Sequence, residues 1–171
     1  MKSQTSNKGA AAAGSSMDVA LRVLGVRDHS CFEMEQKLLS RGFDEAEVQE
    51  TLGKLQGYGY LDDERFAVLL ARSNRGLGRR GLARKMAQKG VTSQISEALL
   101  EQIDEDEELA RALAAARKHS PTSKISSLDR ETWQRRLSSF LARRGFSTGV
   151  VLTVCRQIED ELAHGAEVSL E

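Results

Sequence analysis

The sequence predicts an all-α protein, built as an elongated and curved tandem array of three three-helix repeats. Helix-forming Ala, Leu, Arg, Glu and Gln dominate its 171 residues, and Pro121 is the single proline. Three glycines, Gly42, Gly90 and Gly145, stand in similar surroundings roughly 50 residues apart. Apolar residues follow each glycine at helical spacing. One such unit buries too little apolar surface alone, so we expect neighbouring repeats to stack.

The surroundings of the three glycines indicate the end of one helix and the start of the next. A basic residue precedes each glycine, and an apolar residue and then a capping residue (Asp, Thr or Ser) follow it. Glycine accommodates the left-handed backbone beyond a helix end, and the capping residue accepts backbone N–H groups of the next helix. Apolar residues recur eight and four positions before each glycine and thirteen positions after it: Met34, Leu38 and Leu55; Leu82, Met86 and Ile103; Leu137, Leu141 and Ile158. We expect these side chains to form the cores of the repeats.

The repeat pattern also predicts how the chain is divided. The first helix of each repeat is predicted over residues 17–27, 63–74 and 106–119. The predicted segments are a disordered polar tail (1–16), repeat 1 (17–61), a basic repeat 2 (62–104), repeat 3 (105–164) with a serine-rich insertion (120–128), and a C-terminal tail (165–171).

The net charge is zero, but acidic and basic residues are segregated along the chain. All charged residues from 72 to 89 are basic, and all charged residues from 97 to 108 are acidic. A solvated basic face is the ordinary explanation of such a run. Because arginine suits phosphate and carboxylate recognition, we predict instead a basic track that contacts nucleic acid or an acidic protein surface. Its residues are Arg72, Arg75, Arg79, Arg80, Arg84, Lys85, Lys89, Arg135, Arg136, Arg143 and Arg144.

The acidic doublet Asp62–Asp63 in the stretch GYGYLDDERFA is the first candidate for a catalytic or metal site. It precedes the apolar run that begins at Phe66 with the spacing of a helix cap, so we interpret it as the start of repeat 2. Two adjacent carboxylates supply too few ligands for a metal ion, and the three histidines and two cysteines are scattered. We therefore predict no catalytic residue, no metal site and no cofactor.

The stretch GLGRRG at residues 76–81 matches the letters of the dinucleotide-binding fingerprint. That motif must follow a strand, whereas a helix is predicted here, so we interpret the glycines as a flexible link that leaves the arginines free. Phe66, Trp133 and Phe146 fall at core-like spacing, and platforms for stacking on bases are not evident. Sequence-specific reading of bases is therefore not suggested.

No segment has the pattern of a signal peptide or a membrane span. Cys31 and Cys155 occur in apolar, helix-like settings, where we expect them to be reduced and buried. We therefore expect a cytoplasmic monomer without a membrane partner.

Two segments, GYLDDERFA and RSNRGLGRRGLARKMAQKGV, resemble the signature region of the RecX family of bacterial recombinase regulators. The resemblance extends over residues 19–158 and is most specific in repeat 2. The long polar N-terminal segment and the serine-rich insertion depart from the family pattern. The matching motif residues are Asp62, Asp63 and Phe66, followed by Arg79, Gly81, Lys89 and Gly90.

The resemblance implies tandem three-helix repeats and a role in DNA repair, recombination and the SOS response. Family members bind the RecA recombinase filament on single-stranded DNA. They inhibit its ATP hydrolysis, strand exchange and co-protease activity, mainly by limiting filament growth or promoting filament loss. Two alternatives stay open: a helical nucleic-acid-binding protein that contacts phosphates without a recombinase, and a structural adaptor whose charges serve solubility.

Overall fold

The computed structural model describes residues 14–119 and 129–168, with side chains in the last helix described as far as residue 161. The described residues form nine α-helices and no strand. The helices are α1 (Ser16–Leu24), α2 (Cys31–Leu39), α3 (Glu45–Gly57), α4 (Asp63–Ser73), α5 (Arg79–Gln88), α6 (Ser93–Glu101), α7 (Glu105–His119), α8 (Arg130–Arg143) and α9 (Thr148–Val168). Helices α1–α3, α4–α6 and α7–α9 form repeats 1, 2 and 3. The all-α array of three three-helix repeats is thus confirmed.

Each repeat encloses a hydrophobic core of its own. The nine apolar residues that recur around the three glycines are all buried, with at most 6% of their surface exposed. Phe66, Trp133 and Phe146 are buried as predicted. Full burial of one large apolar side chain stabilises the folded state by roughly 1.5–3 kcal/mol. Because the three cores are separate, the contacts between repeats determine how the repeats are oriented.

The glycine turns have the predicted conformation. The φ angles are +88° at Gly42, +74° at Gly90 and +82° at Gly145. In each turn the N–H after the glycine donates to the carbonyl five residues earlier, which closes the end of the helix. The next helix is capped in each repeat by a side-chain oxygen that accepts the N–H three residues further on, from Asp44, Thr92 and Ser147. The same local signals therefore build all three repeats.

Parts of the predicted tails and the insertion lie outside the described residues: residues 1–13, residues 120–128 and residues 169–171. Ser16, which was assigned to the N-terminal tail, instead begins α1, and Ser15 directly precedes it. The side chain of Ser15 caps this helix, and Ser16 is buried with its hydroxyl 2.7 Å from that of Thr51.

Cys31 is half-buried and Cys155 is buried, and both are free thiols. Within the part of the chain that the structure describes, no helix is long and apolar enough to cross a membrane.

Candidate nucleic-acid interface

The acidic doublet caps two helices that belong to different repeats. Asp62 precedes α4, and its carboxylate accepts the N–H of Arg65 at 2.9 Å, as the capping interpretation predicts. The carboxylate of Asp63 accepts the N–H of Cys31, the first residue of α2, at 2.9 Å. Burial and the neighbouring Asp63 raise the pKa of the Cys31 thiol to about 11, so this thiol stays protonated near neutral pH. The doublet therefore starts repeat 2 and also holds it against repeat 1.

The first joint, where repeat 1 meets repeat 2, is built from polar side chains at the start of α2. The Ser30 hydroxyl caps α2 and donates to the carbonyl of Lys89 at 2.5 Å. The carboxylate of Glu33 accepts from Arg27 at 3.0 Å and from the Lys89 ammonium at 2.6 Å. Burial raises the pKa of Glu33, but the bonds from Arg27 and Lys89 outweigh it and lower the pKa to about 2. Lys89 is thus held within the joint.

The second joint, where repeat 2 meets repeat 3, is built from backbone contacts between glycines. Gly78 donates its N–H to the carbonyl of Arg144 at 3.1 Å, and Arg80 donates its N–H to the carbonyl of Gly145 at 3.2 Å. A Cβ atom at Gly78 would lie 2.6 Å from the Gly145 carbonyl oxygen, and one at Gly81 would overlap the Arg144 carbonyl. The interpretation of GLGRRG as a flexible link is therefore wrong, because its glycines permit close packing of two repeats.

Glu108 closes the second joint from the side of repeat 3. Its side chain is buried, and its two oxygens accept the backbone N–H of Arg79 at 3.0 Å and the Arg79 Nε–H at 3.1 Å. Because Gly78 supplies no capping side chain, this carboxylate caps α5 in its place. From the sequence, Glu108 was only one member of the acidic run at residues 97–108. Glu108 lies four residues before the buried Ala112, and this helical spacing is the signal that could have indicated that its side chain is buried.

Other members of the predicted basic track also have partners within the molecule. The Lys85 ammonium donates to the side chain of Asn74 at 2.5 Å, and both groups are half-buried. The Arg144 guanidinium lies 4.6 Å from the centre of the Phe140 ring. Together with Arg79 and Lys89, these side chains hold the protein's own structure, so they offer less to a ligand than their charge suggests.

Three exposed arginines are brought together at the second joint, and we call them the junction cluster: Arg80, Arg84 and Arg143. The guanidinium of Arg84 donates to the carbonyl of Arg143 at 3.0 Å, and the backbone of Arg80 is bonded to the glycine turn that follows. No ion pair among the described residues involves any of the three side chains. Their charges are therefore available for a negatively charged ligand.

The remaining residues of the basic track are exposed and lie on α8 and at the groove between repeats 2 and 3. Arg135 and Arg136 lie on α8. The hydrogen bonds with Thr132, and to a smaller extent the charge of Arg135, lower the pKa of Asp129 at the start of that helix. Arg72 and Arg75 lie at the end of α4 and beyond it, where they line a groove between repeats 2 and 3. Arg135, Arg136 and the three arginines of the junction cluster are not part of the groove lining. The structure thus divides the basic track into smaller groups.

One exposed feature that the sequence analysis missed is a pair of tyrosines just before the acidic doublet. Tyr58 is 70% exposed and Tyr60 is 53% exposed, and their rings meet edge to face with centres 6.4 Å apart. The guanidinium of Arg65 donates to the carbonyls of Gly59 and Tyr60, which fixes the turn between them. The sequence signal that could have indicated their exposure is that the two tyrosines alternate with glycines and belong to no apolar stripe of a helix.

Metal-binding chemistry finds little support in the geometry. His29 is buried, and its Nδ1 lies 2.9 Å from the carbonyl of Arg27. Burial lowers the pKa of this histidine. Among the described residues, no group of three or more His, Cys, Asp or Glu side chains is placed to hold a metal ion.

The fold and these joints define a class of protein: a helical-repeat protein with fixed joints and an exposed arginine cluster at one of them. Three sequence models of the RecX family match the chain in succession. The first three-helix domain matches residues 17–55, the second matches residues 62–100, and the third matches residues 105–155. The chain belongs to the RecX family.

Similar proteins support the same assignment. A regulatory protein RecX of Amycolatopsis mediterranei is 34% identical over 90% of this chain and 87% of its own length. A regulatory protein RecX of Streptomyces coelicolor is 32% identical over 87% of this chain and 80% of its own length. The crystal structure of RecX from Lactobacillus salivarius is similar in fold, with a TM-score of 0.72 and 20% identity over 84% of this chain and 94% of that chain. The family membership supports a regulatory role for the protein.

Proposed function

We propose that this protein binds the filament that a RecA recombinase forms on single-stranded DNA and restrains it. The bound protein reduces ATP hydrolysis, strand exchange and co-protease activity by limiting filament growth or stability. The observation that carries the proposal is the match of all three RecX domains in order along the chain. We further propose that it acts in the cytoplasm, as a monomer and without chemistry of its own.

The junction cluster is the part of the surface that suits this function best. Guanidinium groups bind phosphate and carboxylate oxygens with two parallel hydrogen bonds, so the cluster fits either DNA phosphate or an acidic surface of the filament. The second joint holds Arg80 and Arg143 on different repeats at a fixed separation, through the backbone bond of Arg80 to the glycine turn. Fixed spacing matters because a regulator must bind one state of the filament more tightly than another.

A second candidate is a helical protein that binds nucleic acid through phosphates without a recombinase. The observation in its favour is that the junction cluster lacks acidic partners among the described residues. Direct phosphate contacts predict a log–log slope of single-strand affinity against salt of about −0.7 per contact. Weak, salt-sensitive binding to bare single strands, together with tight binding to filaments, supports the recombinase proposal. Equal affinity for both supports the second candidate.

The test combines charge reversal at the junction cluster with an assay of filament ATPase. Arg80→Glu with Arg143→Glu removes two positive side chains that make no ion pair among the described residues. Arg79 is left unchanged because its replacement would break the bond to Glu108. We expect the concentration needed to inhibit single-strand-dependent ATP hydrolysis to rise at least about tenfold, which corresponds to about 1.4 kcal/mol of binding free energy.

The matched control is Arg156→Glu, which reverses one exposed charge on α9 outside the cluster and the groove. It should leave the inhibition nearly unchanged, and circular dichroism should show native helix content in every variant. Undiminished inhibition by the double variant would exclude the cluster as the contact. Failure of the unaltered protein to inhibit at all would overturn the proposed function.

A further inference from the structure

A long groove lies between repeats 2 and 3, lined by α4 and α6 on one side and by α7 and α8 on the other. Its volume is about 1300 Å³. Helix α7 lines it with one face, which comprises Glu107, Ala110, Arg111, Ala114 and Lys118. Their positions share one side of the helix and extend along about 17 Å of it. Apart from Arg111, whose side chain is bonded to repeat 2, the residues of this face are exposed over three turns of α7.

The floor of the groove is apolar and made partly of small side chains. Ala110 and Ala114 of α7 are exposed, although the apolar residues of an amphipathic helix usually face a neighbouring element of the fold. Val68 and Leu99 of repeat 2 are half-buried and complete the floor. A floor of alanines beside branched residues leaves room for the larger apolar side chains of an incoming helix, which is how helices bind in grooves.

The rim of the groove is basic. Arg72, Arg75 and Lys118 line it, are exposed, and make no ion pair among the described residues. Glu107 is the acidic residue of the lining, and Arg111 lies 3.5 Å from it. Positive charge on both sides of an apolar floor selects for a segment that is acidic on one face and apolar on the other.

The walls of the groove are held in place by bonds between the two repeats. Arg111 of repeat 3 donates to the carbonyls of Asn74 and Arg75 in repeat 2, at 3.3 and 3.4 Å. Arg144 donates to the carbonyl of Gly76 at 3.0 Å. A groove that exists before binding costs a ligand less ordering free energy than one that must form.

We propose that this groove binds an acidic amphipathic helix of a protein partner, about three turns long. Nucleic acid suits the groove less well, because its floor is aliphatic and its aromatic residue, Phe140, is already covered. His119 stacks on that ring at 3.7 Å, and the Arg144 guanidinium lies 4.6 Å from its centre. Arg72 and Arg75, which were predicted to belong to a single basic track, then bind the acidic helix of the partner. The junction cluster remains available for DNA phosphate or for an acidic surface of the filament.

The direct test is a binding titration with a designed peptide, so it needs no recombinase. The probe is a fluorescein-labelled helix of about 18 residues with glutamates on one face and leucines and alanines on the other, long enough to cover the three turns. Its counterpart carries lysine at every glutamate position. We expect the full-length protein to bind the acidic peptide and not the basic one. Arg72→Glu with Arg75→Glu should weaken binding at least about tenfold.

A steric variant separates the groove from general charge attraction. Ala114→Trp fills the floor at an exposed position, so it should abolish peptide binding while the protein keeps its helix content. The matched control is Ala142→Trp, at an exposed alanine of α8 outside the groove, which should bind as the unaltered protein does.

Three outcomes would overturn the inference: failure of the acidic peptide to bind, equal binding of both peptides, or binding that survives Ala114→Trp. Direct binding of a labelled single-stranded oligonucleotide that is abolished by Ala114→Trp would assign the groove to nucleic acid and also overturn the inference. Inhibition of filament ATPase is measured in a separate assay. Failure of the peptide to bind therefore does not contradict the proposed function, and loss of inhibition does not contradict the groove.

Discussion

The two joints between repeats bring equivalent parts of the backbone together with different chemistry. In both, the start of the second helix of one repeat meets the glycine turn that ends the second helix of the next. The residue just before the turn glycine accepts a hydrogen bond with its carbonyl. The donor is the residue that precedes the second helix of the neighbouring repeat. At the first joint the Ser30 hydroxyl donates to Lys89, and at the second the Gly78 N–H donates to Arg144. The joint is therefore itself a repeated unit.

A carboxylate from the following repeat completes each joint in the same way. The first N–H of α2, from Cys31, donates to Asp63, and the first N–H of α5, from Arg79, donates to Glu108. Each second helix in repeats 1 and 2 is thus capped by its neighbour. The unpaired N–H groups at a helix start are a fixed feature of helices, so they offer a contact point that any stacked repeat can use.

The joints differ in what their closely packed glycines meet. Gly90 of the first joint packs on the side chain of Phe32, whereas Gly78 and Gly81 of the second pack on the backbone of residues 144–146. The first joint also uses Ser30 and Glu33, and the Glu33 side chain is 13% exposed. The second uses Gly78 and Gly81 and buries the Glu108 side chain to 2% exposure. A contact of glycine on backbone cannot adjust by turning a side chain, so we expect the second joint to be the stiffer and the more sensitive to substitution.

The largest expected effect is at Gly81, where a methyl group would overlap the carbonyl of Arg144. Gly81→Ala should lower the free energy of unfolding by about 3 kcal/mol, because neither backbone can move without breaking the joint. The comparison is Gly42→Ala, at the turn of repeat 1, where nothing lies within 4 Å of the added atom. That variant carries only the strain of its φ angle of +88°, about 1–2 kcal/mol.

Urea unfolding of both variants checks this prediction. A smaller loss at Gly81 than at Gly42 would show that the second joint yields easily and would contradict the stiffness expected of it.

The next effect concerns the two carboxylates that cap from the neighbouring repeat. Glu108→Gln should destabilise the protein by about 2 kcal/mol, because the half-exposed Arg79 loses a charged partner that is itself buried. Asp63→Asn should cost about 1 kcal/mol, since it weakens one hydrogen bond to a backbone N–H. Thermal unfolding ranks the two variants, and the opposite order would mean that the first joint depends on its acid more than the second does.

Local features of this fold could be predicted from the sequence, and long-range pairings could not. The turn at Gly145 and the cap at Ser147 depend on neighbouring residues, so a short stretch of sequence determines them. The pair of Arg79 and Glu108 joins residues 29 positions apart, each within a run of similar charges. Composition shows both runs but cannot show which member turns inward.

The basic track shows the same limit at the level of function. Charge segregation predicted a continuous surface, whereas the structure holds Lys89 within the first joint and Arg79 within the second. Arg80, one position along α5, is exposed. Successive residues of a helix point about 100° apart, so a run of bases along the chain becomes several groups in space.

The smallest expected effect, and the one that tests the first joint alone, is the response of Glu33 to pH. Its pKa of about 2 in the folded protein lies below the ordinary value of 4.5. Its stabilising contribution is therefore complete above about pH 4.5 and is lost as the pH falls towards 2. We expect Glu33→Gln to lower the free energy of unfolding at pH 7 by about 1 kcal/mol, a modest value because Arg27 and Lys89 are partly exposed.

Urea titrations at pH 7, 4 and 2.5 measure the difference between Glu33→Gln and the unaltered protein. Glu101→Gln is the control, at an exposed glutamate that makes no ion pair among the described residues. The difference should shrink steadily below pH 4.5, because the carboxyl of the unfolded chain takes up a proton there that it must lose again on folding. A difference that stayed constant down to pH 2.5 would mean that Glu33 acts through its shape and not through its charge. The first joint would then rest, like the second, on how closely its two repeats fit.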